Sequence, residues 1–504
     1  MKTEIKKHLK LLWIIPLVLA IFIGLKNYKF IKMYYNYLDE NNLSLSFSIF
    51  TKSIANDTFF SIPLGERILE EGFKSDDILT WHKGLEFTND RWLFNVIIYL
   101  VYKAFGISGI AHFVTICSIG IGILLFAVMK DRTKNLPLAI FGMLFAMYFS
   151  RTVFQARAQI LSFPLFILEF WTLEKLIETE KKRYSILTIL IVWLIANVHA
   201  SVFPICIVMF LPYFAEWILG KYRNSEVKDI KILGITFLIS LLAGLLTPIG
   251  FTPYTILIRA FLYTDTSFIG ECQPSNIHNN LPLFVILGIS LCLIILLRKE
   301  VKTRDLFLIL GFGIMGILVF RGTFFFHFIS SIAVIRLVSR VYDKYELGLD
   351  SRWIRYILYI SLTIILSTLY LKHFLFTQRY SFVPKDLYPV DVANYILEKT
   401  DYENMRIFNS FNYGSYLEFK GIKSFIDSRS EVYTEEFNPG CTVLEDWLKV
   451  NNDSSKYKEV FDKYNITHAI VGNEMELYTN LEKDSNYNLI YTDENFSLFE
   501  KVEE

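Results

Sequence analysis

Long apolar runs follow one another along most of the chain, from Leu11 to Leu371. Many of them have the roughly 17–25 residues that cross a bilayer as a helix, and the others fall slightly short of that length. Hydrophobic residues make up 53% of the 504 residues and charged residues only 20%, which leaves too little polar surface for a water-soluble protein. The sequence therefore predicts a mainly α-helical polytopic membrane bundle with about 11–13 transmembrane helices. The runs are Leu11 to Leu25, Trp92 to Phe105, Ile107 to Met129, Leu136 to Phe149, Ile160 to Leu173, Ile186 to Val198, Val202 to Leu219, Ile232 to Leu246, Leu283 to Leu297, Leu306 to Phe320, Thr323 to Val338 and Trp353 to Leu371.

The basic segments of the chain predict its orientation in the membrane. MKTEIKKHLK precedes the first run, and no small-residue cleavage site follows that run, so we expect a retained first span with a cytoplasmic N-terminus. Basic loops begin at Glu180, Gly220, Arg298 and Arg340, which also places them in the cytoplasm. The chain after the last run then lies outside the cell membrane, provided that one short run, Trp92 to Phe105 or Leu136 to Phe149, does not cross it.

The composition changes near Thr377. Residues 377–504 contain the helix-like VDVANYILEKT, the strand-like RIFNSF, KSFIDS and THAIVG, and the final LIYTDENFSLFEK. This alternation predicts a small extracytoplasmic α/β domain after a transmembrane domain at 1–376. The first external loop of the transmembrane domain, residues 26–91, is much longer than a connection between helices requires.

Charge and cysteine content exclude two classes of protein. A formal net charge of +1, without a basic stripe, excludes nucleic acid as a partner. The five cysteines show no CxxC pair and no spacing typical of metal ligands, so the sequence indicates neither a zinc site nor a disulfide framework.

The first external loop carries the acidic segment that attracts most interest. Asp57 opens the segment DTFFSIPLGERILEEG, which has the pattern of an amphipathic helix at the membrane surface. Partial desolvation there would raise the basicity of the carboxylate and suit it to taking a proton from a hydroxyl group. The alternative is a solvated loop whose acids face water.

Several polar residues lie at the ends of apolar runs, where two interpretations remain open. Arg151, Arg157 and Arg321 either extend to lipid headgroups or bind a phosphate, which the planar guanidinium matches well. Asn197 and His199 either cap a helix or contact a ligand.

The loop after Leu246 and the C-terminal region add further candidates. Pro253 to Tyr263 is expected to form a short surface helix, and Glu271 follows it in a polar loop long enough to cover a cavity. Gly414 indicates a turn or a close backbone approach, and Asp427 and Arg429 have the spacing of an internal ion pair.

Several segments along nearly the whole chain, taken together, indicate a family. They are NDTFFSIPLGERILEEGFKSDDILT, NDRWLFNVIIYLVYKAFG, RAQILSFPLFILEFWTLE, VWLIANVHAS, LLTPIGFTPY with IGECQPSN, RGTFFFHF, and FNSFNYGSYLEF with FIDSRSEVY. In this order they resemble polytopic membrane glycosyltransferases of the GT-C fold, which are related to protein O-mannosyltransferases and aminoarabinose transferases. The resemblance is to a prokaryotic branch with a C-terminal extracytoplasmic domain.

This resemblance implies an enzyme of the cell envelope that moves a sugar from a polyprenyl-phosphate-linked lipid donor to an extracytoplasmic glycan, lipid or protein acceptor. It implies an acidic residue in the first external loop as base or metal ligand, which by position is Asp57, with Asp77 and Asp90 as further matches. The metal would be Mg or Mn, held by Asp57. The residues expected near the donor phosphate are Arg157, His199, Arg321 and Glu271.

Two other functions remain alternatives at this point. A glycan or lipid transporter would carry charges near the middle of its spans and inverted internal symmetry. A non-catalytic membrane scaffold has no need for Asp57, Arg157 and the loop near Glu271 to converge on one cavity. Their placement in three dimensions therefore distinguishes the scaffold from an enzyme.

Overall fold

The computed structural model describes residues 54–223, 230–263, 268–299, 301–344, 383–399 and 402–502. The predicted first span, Leu11 to Leu25, and the run Trp353 to Leu371 lie outside these residues. The helices of the N-terminal region are α1 (Asn56–Glu71), α2 (Trp92–Thr133), α3 (Leu136–Phe149), α4 (Gln159–Thr179), α5 (Lys182–Val198), α6 (Phe203–Val208), α7 (Leu211–Tyr222), α8 (Lys231–Ala243), α9 (Thr252–Tyr263), α10 (Ile277–Leu296), α11 (Thr303–Leu318) and α12 (Thr323–Lys344).

The helical region has the length and apolarity of a membrane domain. Among the residues that the structure describes, four helical segments are long and apolar enough to cross a membrane: Trp92–Thr133, Ala200–Tyr222, Gly270–Leu296 and Phe320–Arg340. Shorter apolar helices, α3 and α8, pack beside them. The predicted short surface helix after Pro253 is confirmed as α9.

One break within a long helix follows from the local sequence. The α2 helix changes direction at Gly106, whose φ of 64° is in the left-handed region that favours glycine. This break falls between the two predicted runs Trp92 to Phe105 and Ile107 to Met129. The predicted run Val202 to Leu219 lies within the helical segment Ala200–Tyr222, where α6 and α7 follow each other through two residues with helical backbone angles, Met209 and Phe210.

A buried ion network lies where α2, α4 and α12 end and α11 begins. Glu174, which is fully buried, accepts hydrogen bonds from Nε and Nη2 of Arg304 at 2.7 and 3.1 Å and from Nη1 of Arg336 at 2.6 Å. Arg336 also pairs with the buried Asp305. Because each of these side chains is enclosed by the helices and paired, the network holds the four helices together at this end of the bundle.

The C-terminal region forms a four-stranded sheet with short helices packed around it. Its helices are α13 (Val390–Leu397), α14 (Gly414–Phe419), α15 (Val443–Asn452), α16 (Tyr457–Tyr464) and α17 (Glu476–Glu482), and its strands are β1 (Ile407–Phe408), β2 (His468–Gly472), β3 (Tyr487–Thr492) and β4 (Phe496–Lys501). The strand order is β1-β2-β4-β3, with β1 parallel to β2 and the other neighbours antiparallel. The small α/β domain is therefore present, although KSFIDS is not one of its strands and makes only a single bridge, from Ser424 to Thr80.

The segment predicted to be an amphipathic helix forms α1, and its position at the membrane surface stays a prediction. Its first turns are buried between α2 and the C-terminal domain: Phe59 packs on the rings of Tyr388 and Tyr416 at 4.9 and 5.2 Å between centroids. Gly65 allows α1 to cross α2 closely, because a Cβ at this position would lie 2.1 Å from the carbonyl oxygen of Asn95. The helix ends at Gly72, which has a positive φ of 79°.

Arg429 fastens the C-terminal domain to the loop between α1 and α2. This residue is 1% exposed, and its guanidinium donates to Asp77 Oδ1 at 2.6 Å and pairs with Asp427. The same group lies over the rings of Phe60 and Phe87. The predicted Asp427 and Arg429 ion pair is confirmed, and it extends across the junction of the two domains.

Candidate active site

Five charged side chains meet at the junction of the membrane helices and the C-terminal domain. They come from α1, the residue before α2, the loop before α4, the turn before α10 and the turn before α12. The members of this cluster are Asp57, Arg91, Arg157, Glu271 and Arg321, and we call it the junction cluster.

Asp57 is the centre of the junction cluster. Its Oδ2 accepts hydrogen bonds from Nη1 of Arg91 at 3.0 Å and from Nε and Nη2 of Arg157 at 3.2 and 3.0 Å. Its Oδ1 accepts a hydrogen bond from Oγ of Ser428 at 3.1 Å, so the C-terminal domain also contacts this carboxylate. Asp57 lies in the first turn of α1, where the positive end of the helix dipole favours a carboxylate.

The electrostatics of Asp57 reverse the predicted rise in basicity. Burial raises its pKa, but the guanidinium groups of Arg157, Arg91 and Arg321 together hold that pKa well below the usual range of an aspartate. The sequence indicated the burial of this side chain but not the number of arginines around it. Asp57 is therefore a fixed anion rather than a strong base.

Arg157 links Asp57 to Glu271. Its Nη1 donates to both carboxylate oxygens of Glu271, at 3.1 and 2.9 Å, and Nε of Arg321 donates to the same Glu271 at 2.9 Å. The side chains of Glu271 and Arg321 are 48% and 42% exposed, so this face of the cluster is open. The carboxylate of Glu271 thus bridges two guanidinium groups at a position that a dissolved anion can reach.

Asp90 and His199 border the junction cluster. Asp90 Oδ1 accepts a hydrogen bond from Nε of Arg91 at 3.1 Å and thereby orients Arg91 toward Asp57. The carbonyl oxygen of Asp90 accepts a hydrogen bond from the backbone N–H of Ala200 at 2.8 Å, which brings His199 to the edge of the site. Nδ1 of His199 lies 3.1 Å from Oγ of Ser162.

Other candidates lie elsewhere. Asp77 is buried against Arg429 and accepts hydrogen bonds from the N–H and Oγ1 of Thr80 at 3.2 and 2.7 Å, so it holds the loop between α1 and α2 to the C-terminal domain. Arg151 is exposed and contacts the carbonyl oxygen and ring of Tyr148. Asn197 accepts a hydrogen bond from Nε1 of Trp92 at 3.2 Å and donates one to the carbonyl oxygen of Trp193 at 2.8 Å, so it links two helices and caps neither.

Sequence reasoning did not select Arg91 or Ser428. Arg91 directly follows Asp90, so a charged pair at the start of an apolar run was visible in the sequence. Ser428 carries no comparable signal, because it is 371 positions from Asp57 in the sequence and only the fold brings the two side chains together.

The donor set around Asp57 does not fit the predicted divalent metal. Across the described ranges, no three His, Cys, Asp or Glu side chains lie close enough together to hold a metal ion. Both oxygens of Asp57 already accept hydrogen bonds, and two fixed guanidinium charges would repel a cation placed beside them.

Comparisons with solved structures identify the architecture. ArnT from Cupriavidus metallidurans in the apo state is similar over 90% of this chain and 94% of its own, with a TM-score of 0.55 and 12% identity. The same protein bound to undecaprenyl phosphate aligns with a TM-score of 0.52 and 11% identity, over 90% of this chain and 95% of its own. The chain has the GT-C fold.

A second GT-C protein supports this assignment. The archaeal oligosaccharyltransferase AglB from Archaeoglobus fulgidus, in complex with an inhibitory peptide and a dolichol-phosphate, matches with a TM-score of 0.58 and 12% identity, over 86% of this chain and 67% of its own. No protein-family model and no curated protein matches the sequence. The predicted fold class, a membrane bundle with a small C-terminal α/β domain, is confirmed.

Proposed function

We propose that this GT-C membrane protein is a glycosyltransferase that moves a sugar from a polyprenyl-phosphate-linked donor to an extracytoplasmic acceptor. The observation that carries the proposal is the bridge of Glu271 between Arg157 and Arg321, at 2.9 Å from each. A carboxylate held between two guanidinium groups on an open face marks a position suited to a phosphate. The similar ArnT and AglB structures contain undecaprenyl phosphate and dolichol-phosphate, and both ligands present a phosphate on an isoprenoid chain.

The position of the junction cluster suits such a donor. The cluster lies where apolar helices meet the C-terminal domain, so an isoprenoid chain can remain among the helices while the phosphate and sugar reach the cluster. The donor phosphate would compete with Glu271 for Arg157 and Arg321. His199 borders the same space.

In the proposed reaction, an acceptor hydroxyl oxygen forms a bond to the anomeric carbon of the sugar, the bond from that carbon to the phosphate oxygen breaks, and the hydroxyl proton is released to solvent. The bonding electrons leave with the polyprenyl phosphate, which gains negative charge. Arg157 and Arg321 stabilise that charge through hydrogen bonds already oriented toward an anion. Asp57 holds Arg91 and Arg157 in place, and no step requires a metal.

The convergence of the cluster distinguishes this proposal from a scaffold. Asp57, Arg157 and the turn at Glu271 come from three separate parts of the sequence, yet Arg157 joins them directly. Assembling buried charges is unfavourable unless they are paired, so a scaffold has no use for such an arrangement on a face open to solvent.

The first test is mass spectrometry of lipids that co-purify with the protein in mild detergent. We expect undecaprenyl phosphate or its sugar-linked form on the wild-type protein and its loss from Arg157→Ala. Arg151→Ala is the matched control, because Arg151 is an exposed arginine outside the cluster and should retain the lipid. Equal amounts of bulk phospholipid on all three proteins, without a polyprenyl phosphate, would contradict the proposal.

A further inference from the structure

A pocket opens in the C-terminal domain where the parallel strands β1 and β2 end. The chain leaves β1 after Phe408 toward α14 and leaves β2 after Gly472 toward α17, so the carboxyl ends of the two strands border a crevice. Its volume of about 60 Å³ gives room for roughly four to six water molecules, and a single sugar ring occupies a comparable space. One side is closed by Trp447 and Asn451 of α15, and we call this cavity the strand-end pocket.

The lining of the strand-end pocket combines aromatic rings with hydrogen-bonding groups. Phe408, Tyr413 and Trp447 supply the rings, and Ser410 and Ser454 supply hydroxyl groups. Among the described residues that line the pocket there is no lysine, arginine or histidine, so it offers no counterion for a phosphate or a carboxylate. Aromatic faces with a few hydrogen-bonding groups suit a neutral molecule that has apolar C–H faces and several hydroxyl groups, as a sugar ring has.

Three hydrogen-bonding groups of the pocket are free in the part of the chain that the structure describes. The side chains of Asn451 and Glu476 are exposed and make no hydrogen bond or ion pair there. The indole N–H of Trp447 also lacks an acceptor in these residues, although Trp447 is only 5% exposed. A buried indole N–H usually has a partner, so this free donor favours a ligand oxygen in the pocket.

Other polar groups fix the shape of the strand-end pocket. The hydroxyl of Tyr413 donates to the carbonyl oxygen of Ile470 at 2.6 Å, which ties the loop after β1 to β2. Nδ2 of Asn480, on α17, donates to Oγ of Ser454 at 2.8 Å and leaves the hydroxyl hydrogen of Ser454 for another acceptor. Because these contacts are already made without a ligand, binding requires little ordering of the lining.

The strand-end pocket is connected to the junction cluster through Phe411. The ring of Phe411 packs on Trp447 of the pocket, with ring centroids 5.7 Å apart. The carbonyl oxygen of Phe411 accepts a hydrogen bond at 3.3 Å from Nδ2 of Asn56, which directly precedes Asp57. One residue of the C-terminal domain thus contacts the lining of the pocket and the segment that carries the central carboxylate of the cluster.

A second connection comes from the turn that carries Glu271. The ring of Phe268, three residues before Glu271, lies 5.1 Å from the ring of Phe411 and 5.7 Å from that of Trp447. The same turn of the membrane domain therefore contributes to the junction cluster and to the aromatic wall of the pocket. A glycan held in the pocket by one ring has only this wall between it and the cluster.

We propose that the strand-end pocket binds one sugar ring of a neutral glycan and thereby holds that glycan as the acceptor of the transfer. The acceptor role rests on the proposed glycosyltransferase function, whereas the binding of a ring rests on the pocket alone. Asn451 and Glu476 bind hydroxyl groups of the ring, and the N–H of Trp447 donates to a sugar oxygen.

The test measures the Kd of neutral tetrasaccharides by saturation-transfer difference NMR. The full-length protein is reconstituted in phospholipid liposomes, because a maltoside detergent would itself present a sugar to the pocket. The probes are maltotetraose, cellotetraose, mannotetraose and N-acetylchitotetraose. We expect at least one to bind the wild type, and Asn451→Ala and Glu476→Gln each to weaken that binding by about tenfold, as the loss of one hydrogen bond implies. Both side chains are exposed and unpaired in the described residues, so neither change removes a contact of the fold.

Asn452→Ala and Glu474→Gln are the matched controls. They change exposed residues beside the tested positions but outside the lining, so both should keep the wild-type Kd. Tetragalacturonate should bind at least about tenfold more weakly than the neutral ligand, because its carboxylates meet Glu476 without a cation in the lining. Failure of all four neutral probes to bind, or equal Kd values for the wild type and both pocket variants, would overturn the proposal. Binding of short peptides in place of the sugars would assign the pocket to a protein and overturn it as well.

Lipid binding separates this proposal from the proposed function. Asn451→Ala and Glu476→Gln should still co-purify with undecaprenyl phosphate, whereas Arg157→Ala should not. Retained undecaprenyl phosphate without tetrasaccharide binding would overturn the sugar site alone. Tetrasaccharide binding by a wild-type protein that carries no polyprenyl phosphate would confirm the sugar site and overturn its role for the acceptor.

Discussion

Arg157 donates two hydrogen bonds to a single oxygen of Asp57, from Nε at 3.2 Å and from Nη2 at 3.0 Å. The third nitrogen, Nη1, is left to contact Glu271. The planar guanidinium thus has a fixed orientation, with one edge on a buried anion and the other toward the open face of the junction cluster.

This relationship predicts that Arg157→Lys is not a conservative change. A lysine keeps the positive charge, but it lacks the rigid planar guanidinium whose separate nitrogens donate hydrogen bonds to Asp57 and Glu271 at the same time. We expect release of undecaprenyl phosphate from the sugar-linked donor to fall by about 100-fold, comparable with the loss of one oriented donor to a developing anion. Arg151→Lys is the control and should retain full activity; equal activity of the two variants would contradict a specific role for Arg157.

Asp57→Asn should reduce the stability of the fold as well as its activity. The amide leaves Arg91 and Arg157 without their shared buried counterion, and breaking such a pair costs about 3–5 kcal/mol. Thermal unfolding in detergent should show a clear decrease in Tm. Asp76→Asn removes the partner of another arginine, Arg67, but its carboxylate is 65% exposed, so we expect little change from it.

The stabilisation by Asp57 should also have a characteristic pH dependence. Because the folded protein holds its pKa below that of the unfolded chain, which is about 3.9, the contribution is complete above about pH 5 and is lost as pH falls toward the folded value. The difference in Tm between wild type and Asp57→Asn should therefore be constant from pH 5.5 to 8. A difference that changes strongly within that interval would show that Asp57 has a raised pKa instead.

The sequence predicted the fold class well because membrane-spanning helices are recognisable from their long apolar runs. It also predicted the break near Gly106 and the close approach at Gly414, where a Cβ would lie 1.9 Å from the carbonyl oxygen of Ile426. These features depend on local composition or on one residue. The run Val202 to Leu219 was predicted for the same reason, and it lies within the apolar helical segment Ala200–Tyr222.

The candidate site was predictable only in part. Arg157 and Arg321 stand out in the sequence as charges at the ends of apolar runs, and Asp57 and Glu271 as acids in long loops. The fold brings these four side chains together. Asp77 has the same appearance in the sequence but pairs with Arg429 in the other domain. Which acid meets which arginine depends on contacts hundreds of positions apart, and a single sequence does not contain that information.

The ion pair of Asp77 and Arg429 should stabilise the junction between the two domains and should not contact the reacting atoms. Both side chains are fully buried, so Asp77→Asn should destabilise the protein by about 3–5 kcal/mol. A double-mutant cycle with Arg429→Met should show coupling between the two positions, although Arg429→Met has a further cost because it also removes the partner of Asp427. Limited proteolysis is expected to cleave near the junction in each variant. Full stability of Asp77→Asn combined with a large loss of activity would instead favour a direct role in the reaction.

Chelation tests whether the arginines alone supply the positive charge of the site. Asp57 is surrounded by guanidinium groups, and no metal-binding group of three His, Cys, Asp or Glu side chains occurs in the described residues. We therefore expect release of undecaprenyl phosphate to be unchanged by EDTA and by added Mg²⁺ or Mn²⁺. EDTA already saturated with Mg²⁺ is the control for effects on the liposomes. Loss of activity with free EDTA, restored by Mg²⁺ or Mn²⁺, would mean that a cation displaces an arginine from Asp57 when the donor binds, because the present arrangement of hydrogen bonds leaves neither oxygen of that carboxylate free for a metal.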